Sequence, residues 1–145
     1  MNKISFTDEG VRSKLPPKRA LKAWIKEFVY SHSKNVGELA FVFCSDEKIL
    51  EINRNFLQHD YYTDIITFDY CAGETISGDI FISVERVQEN ATSHKVKYKE
   101  EILRVIAHGV LHLIGFQDKS PKNKIEMTEN EDLCISLFYT KFADK

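Results

Sequence analysis

The stretch His108-Gly109-Val110-Leu111-His112-Leu113-Ile114-Gly115-Phe116-Gln117-Asp118 decides how this chain is read. Residues four apart on an α-helix stand one turn above each other, so the imidazoles of His108 and His112 can close on a single cation. Gly115, three residues further on, can take the left-handed conformation that ends a helix and folds the chain back. The turn then offers Asp118 to the same ion. Written as H-x-x-x-H-x-x-G-x-x-D, the run has the spacing of the metzincin zinc site with aspartate at the third ligand. Peptidases of that class carry a glutamate general base directly after the first histidine. Here that residue is Gly109, which has no group to accept a proton. Two imidazoles and one carboxylate leave a fourth position open, as in catalytic rather than structural zinc sites. The pattern points to metal-assisted hydrolysis with His108, His112 and Asp118 as ligands and one Zn2+ as the first expectation. The plain alternative is a packed helix. Ile102, Val105, Ile106, Val110 and Leu113 mark this one as mostly buried, and Asp118 could serve as a turn or capping residue.

Outward from the metal helix, helical spacing and turn signals place the other elements. The helix itself is expected over Tyr98 to Ile114. Ahead of it, Lys3 to Phe6 reads as a short strand. Pro16-Pro17 opens a helix whose core stripe is Ala20, Leu21, Trp24, Ile25, Phe28 and Val29. Leu39 to Cys44 reads as a buried strand. Ser45 caps a helix running to about Phe56, with Asp46 and Glu47 in its first turn. A loop over Leu57 to Tyr62 leads to strands near Ile65 to Tyr70 and Asp79 to Val84, joined by a glycine-bearing turn over Cys71 to Gly78. Glu85 to about Ser93 is helical. Ser120-Pro121 caps a terminal helix with Met127, Cys134, Leu137 and Phe138 inward. The expected architecture is α+β, one domain over residues 1–145 with about four strands, about five helices and the metal helix at the centre.

Three segments together resemble a known family. His108 to Asp118 resembles the metal motif of the YbeY family, whose usual form is H-G-x-L-H-L-x-G-Y-D-H; Gly109, Leu111, Leu113 and Gly115 match as well. Tyr62-Thr63-Asp64-Ile65-Ile66-Thr67-Phe68 resembles the family's P-T-D-V-L-S-F strand, preceded by Ile52-Asn53. Gly78-Asp79-Ile80-Phe81-Ile82-Ser83 resembles its G-D-I-x-I-S strand. The resemblance implies a metal-dependent endoribonuclease of ribosomal RNA maturation, acting at the 3′ end of 16S ribosomal RNA and in ribosome quality control. RNA and the ribosomal subunit or its assembly proteins would be its partners, and DNA would not. Two positions depart from the family. Asp118 stands where most members have histidine, which shifts metal preference toward harder ions such as manganese or cobalt. Leu57 stands where the family has arginine after its N-x-x-Y/F pattern, although Asn53 and Phe56 match; Arg54, one helical turn back, is the nearest positive charge.

Composition agrees with a globular chain: 145 residues, 43% hydrophobic and 12% aromatic. No apolar run approaches the roughly eighteen residues of a membrane span, and Met1-Asn2-Lys3-Ile4 begins no secretory pattern, so a cytoplasmic protein is expected. Cys44, Cys71 and Cys134 form no C-x-x-C pair, which fits reduced thiols without assigned chemistry. The net charge of −2 does not advertise a nucleic-acid binder. Basic residues are nonetheless clustered, at Arg12, Lys14, Lys18, Arg19, Lys22 and Lys26, at His94 to Lys99, and at Lys119, Lys122 and Lys124. Such side chains hold phosphate backbones; on an amphipathic helix they also simply solvate the outer face.

In the expected mechanism the metal activates water against an RNA phosphodiester or stabilises charge on a phosphoryl oxygen. Arg54, Thr63 and Asp64 are the expected substrate-binding residues, and His59 is an acid or base candidate. No general base is assigned. Two other classes fit the same residues: a zinc metallopeptidase, which Gly109 disfavours, and a non-catalytic ribosome- or RNA-binding metalloprotein.

Overall fold

Burial along the central strands fixes where the layers meet. The computed structural model describes residues 3–58 and 63–143. It comprises β1 (Lys3–Asp8), α1 (Lys18–Ser31), β2 (Asn35–Cys44), α2 (Asp46–Ile52), β3 (Ile65–Asp69), β4 (Thr75–Ser83), α3 (Val84–His94), α4 (Tyr98–Ile114) and α5 (Pro121–Leu137). The α+β expectation of four strands and five helices describes it. One sheet has the order β1-β2-β4-β3, with β3 antiparallel to β4 and the other pairs parallel.

Side chains alternate across a strand, so the two faces can be assigned from contacts. Ile65 and Ile80 face α4, because a side chain at Gly109 would meet both. Ile66 and Phe81, paired across β3 and β4, face the other way and join Cys44, Ile49 and Ile52 in a second cluster beneath α2. The main core lies between the sheet and α1, α4 and α5. Phe6 stacks on Phe41 with centroids 5.1 Å apart, and Trp24 meets Phe28 and Phe138 edge-on at 5.1 and 5.4 Å. The Trp24 Nε1–H donates to the Cys134 carbonyl at 2.7 Å, tying α1 to α5 and satisfying the one polar atom of a fully buried indole.

The caps are those the sequence signals. The hydroxyls of Ser45 and Ser120 accept from the Lys48 and Asn123 amides at 3.2 and 3.0 Å. Three boundaries differ from expectation by more than two residues. Strand β2 starts at Asn35 rather than Leu39, because Val36 is already buried and pairs with Ile76 of β4. The helix expected to reach Phe56 leaves α geometry at Ile52 and continues as one π-helical turn over Asn53–Leu57, closed by the Gln58 N–H on the Asn53 carbonyl. Strand β4 starts at Thr75 rather than Asp79, because Ile76 is already buried against the core and Thr75 and Ala72 exchange backbone hydrogen bonds at 3.0 Å. Of the residues expected inward on α5, Met127, Cys134 and Phe138 are buried and Leu137 is half-buried. Burial also pushes the Cys44 and Cys134 thiols up to about 12, consistent with inert packing residues.

Candidate metal centre

Helix α4 is apolar on most of its circumference, with Ile102, Leu103, Ile106, Ala107, Val110 and Leu111 all fully buried. His108 and His112 occupy the remaining face, one turn apart, with ring centroids 4.5 Å from each other. The helix stops where expected. Gly115 has φ +128°, a region disfavoured for side-chain-bearing residues, and the Gly115 and Phe116 amides both return to the Leu111 carbonyl at 3.1 and 3.0 Å. That closure carries Asp118 back over the last turn. Its Oδ2 lies 3.2 Å from His108 Nε2 and 3.3 Å from His112 Nε2.

The three ligand atoms lie within 4.8 Å of one another, and the cluster can hold a metal ion. A tetrahedral site with bonds of about 2.0 Å sets its ligand atoms about 3.3 Å apart, and both nitrogen–oxygen separations have that size. The donor set suits zinc and its neighbours. The side chains are 22%, 27% and 35% exposed, so one side of the cluster stays open to a substrate.

One neighbour of the cluster is not evident from the motif. Glu131, on α5, places Oε2 2.6 Å from His108 Nδ1 and Oε1 3.0 Å from Arg104 Nη1; Arg104 also donates to Asp132 at 2.8 Å. Burial alone would lower the pKa of His108, but the hydrogen bond and charge of Glu131, with the charges of Asp118 and Asp64, raise it above the ordinary imidazole value. The available signal was positional: Glu131 falls four residues after Met127 and three before Cys134, on the stripe that a helix turns inward.

Gly109 packs rather than reacts. A Cβ there would sit 2.8 Å from Ile65 Cδ1 and 3.2 Å from Ile80 Cγ2, so this position faces the sheet and has no room for a general base.

Asp64 stands at the start of β3. Its carbonyl accepts from the Ser83 amide at 2.9 Å and its carboxylate from Asn90 Nδ2 at 3.2 Å. Burial pushes its carboxyl up, while the His108 imidazole pulls it down through space, which sets Asp64 in the electrostatic neighbourhood of the cluster. Thr63 precedes it and donates locally to the Ile65 carbonyl at 3.5 Å. Arg54 is placed differently: it lines an open hollow with Glu47, Lys48, Glu51 and Asn55, formed by α2 and the turn after it, and none of the three candidate ligands lines that hollow. His59 and Tyr62 lie outside the described residues. No helix among the described residues is long and apolar enough to cross a membrane.

Comparison with known proteins agrees with the motifs. The sequence profile of the family described as Endoribonuclease YbeY matches residues 5–138. An Endoribonuclease YbeY of Phocaeicola vulgatus is 52% identical over 134 residues, covering 91% of this chain and 97% of its own. One from Porphyromonas gingivalis is 46% identical over 137 residues, with 94% and 91% covered. A Thermotoga maritima protein solved in solution superposes with a TM-score of 0.67 at 27% identity, over 95% of this chain and 90% of the other. With the profile spanning nearly the whole fold and its motifs forming the His–His–Asp cluster, this chain belongs to the YbeY endoribonuclease family.

Proposed function

We propose that this protein is a metal-dependent endoribonuclease of ribosomal RNA maturation, working in the cytoplasm on RNA presented by the ribosomal subunit or its assembly proteins. The observation that carries the chemistry is the convergence of His108 Nε2, His112 Nε2 and Asp118 Oδ2 at the exit of α4. The substrate class comes from relatives described as endoribonucleases at 46% to 52% identity over nearly the whole chain.

In this reading His108, His112 and Asp118 hold one divalent cation, zinc first. When bound, such an ion supplies a Lewis acid for a phosphodiester and a means of ionising water near neutral pH. The protein's part is position and charge. The Gly115 turn sets Asp118 against both imidazoles, and the open side of the cluster admits a phosphate. Asp64, held by Asn90 and within electrostatic reach of His108, would accept a hydrogen bond or a proton from the RNA, and Thr63 would offer its hydroxyl from the neighbouring position. Arg54 would meet RNA running past α2, away from the cleavage point. The metallopeptidase reading loses its base at Gly109, which is packed against Ile65 and Ile80.

The test is incubation of a structured ribosomal RNA precursor with purified protein, a chelator-treated sample and Asp118→Ala, with casein as control substrate. RNA cleavage lost in both treated samples, with casein untouched, is the expected result. Failure of intact, metal-supplied protein to cut RNA would leave the RNA-binding role instead.

A further inference from the structure

Glu131 is an anomaly of packing. The inward face of α5 carries Met127, Glu131, Cys134 and Ile135, all less than a tenth exposed, so a carboxylate stands where an apolar side chain would ordinarily pack. Ionised groups stay buried only when hydrogen-bonded and paired, and both oxygens of Glu131 are used. Oε1 accepts from Arg104 Nη1 at 3.0 Å, and Oε2 faces His108 Nδ1 at 2.6 Å. Arg104 is anchored in turn by Asp132 at 2.8 Å. The opposite nitrogen of the same imidazole, Nε2, is the one that faces Asp118 at 3.2 Å.

A neutral imidazole that donates Nδ1–H to a carboxylate presents the lone pair of Nε2. We infer that Glu131 is a positioning residue of the metal centre, fixing His108 as the Nδ1–H tautomer with Nε2 toward the ion, while Arg104 holds the carboxylate in place. This rests on His108, His112 and Asp118 being metal ligands. A carboxylate behind a ligating histidine sets the ring's orientation and raises its basicity, and loss of such a partner typically weakens metal binding about 10–100-fold. Because Glu131 belongs to α5 and His108 to α4, the seating of the terminal helix also governs the quality of the site. A simple clamp between two helices is the competing account. It gives Glu131 a part in folding and none in the choice of tautomer.

Two measurements on the full-length protein separate these accounts. The first is Zn2+ affinity, by competition with a chromophoric chelator, for wild type, Glu131→Gln and the exposed control Glu129→Gln. The second is long-range 1H–15N correlation of the His108 ring, with and without zinc. The expected results are a zinc dissociation constant about 10–100-fold weaker in Glu131→Gln alone, and a wild-type His108 protonated at Nδ1 in the zinc-loaded state. Unchanged zinc affinity in a folded Glu131→Gln protein, or His108 bound through Nδ1, would overturn the inference. If Glu131→Gln does not fold, the wild-type spectrum decides the question by itself. If wild type binds no zinc, the metal reading fails instead; neutral His108 in the unloaded protein then tests the positioning separately, Nδ1–H supporting it and Nε2–H sinking it.

Discussion

Gly109 offers the sharpest test of how α4 is seated. Replacing it with glutamate would complete the H-E-x-x-H peptidase motif on paper. In this fold the first added atom already meets Ile65 Cδ1 at 2.8 Å and Ile80 Cγ2 at 3.2 Å, and Ile80 is fully buried. Gly109→Ala isolates that contact. Relief of the glycine's helix penalty stabilises by about 1 kcal/mol, whereas overpacking a filled core costs about 1–3 kcal/mol. The Ile65 methyl end can swing aside more easily than Ile80 Cγ2, so a net loss of about 0–2 kcal/mol is expected. Gly109→Glu adds an unpaired carboxylate facing two isoleucines, and burying such a charge costs several kcal/mol more. That is a large share of the roughly 5–15 kcal/mol that holds a domain together. Urea unfolding of Gly109→Ala, with circular dichroism and casein hydrolysis of Gly109→Glu, checks both. A Gly109→Ala protein more stable by the full helix-propensity gain, or a folded Gly109→Glu protein that cleaves casein, would refute the seating of α4 and the dismissal of the peptidase reading.

Metal loading should stabilise the fold, because the ligands come together only in the native chain. Zinc at a hundredfold excess over its dissociation constant adds about 2.7 kcal/mol, or about 5–11 °C in Tm for a chain of this size; scanning calorimetry should show that rise in wild type and little of it in His112→Ala. The pH response should reverse with metal. In chelated protein the pKa of His108 is lowered by burial but raised by Glu131, Asp118 and Asp64 together, to a net value above the unfolded one. The contribution of its protonated form is therefore full below about pH 6.5 and is lost as pH rises through the folded value. Protons compete with zinc for the same nitrogen, so loaded protein should instead lose stability as pH falls; urea midpoints across mildly acid to mildly alkaline pH would show both slopes, and parallel slopes would contradict the assignment. Thiol titration of native protein at mildly alkaline pH should leave Cys44 and Cys134 unmodified, since burial pushes both up to about 12. Modification of either before unfolding would contradict their packing.

The legible parts of this protein are the local ones. Helix α4 begins and ends at Tyr98 and Ile114 as its apolar period and Gly115 indicate, and the serine caps of α2 and α5 are formed. The convergence of His108, His112 and Asp118 was readable because all three lie within eleven consecutive residues, where helix geometry and one turn determine the distances. Less legible was the start of β4, since glycines at 73 and 78 weaken the strand pattern around Ile76. The π-helical turn after Ile52 had no signal in the periodicity. Arg54 shows the limit plainly: its sequence distance from Thr63 and Asp64 is short, yet it lines a hollow among α2 residues.

What sequence could not expose is a seam of polar side chains running the length of α4. Glu101, Arg104, His108 and His112 follow each other at spacings of three, four and four, which keeps them on one face of an otherwise apolar helix. Each polar partner along that seam comes from elsewhere. His94 of α3 faces Glu101 at 3.4 Å, Glu131 of α5 joins Arg104 to His108, and Asp118 closes over both histidines. Polar side chains on a partly buried face cost stability wherever a partner is missing, so the docking of α3 supports Glu101 and that of α5 supports Arg104 and His108. The His108–His112–Asp118 cluster is then the open end of a network that the rest of the fold completes, and the motif names these three residues without naming the side chains that contact them.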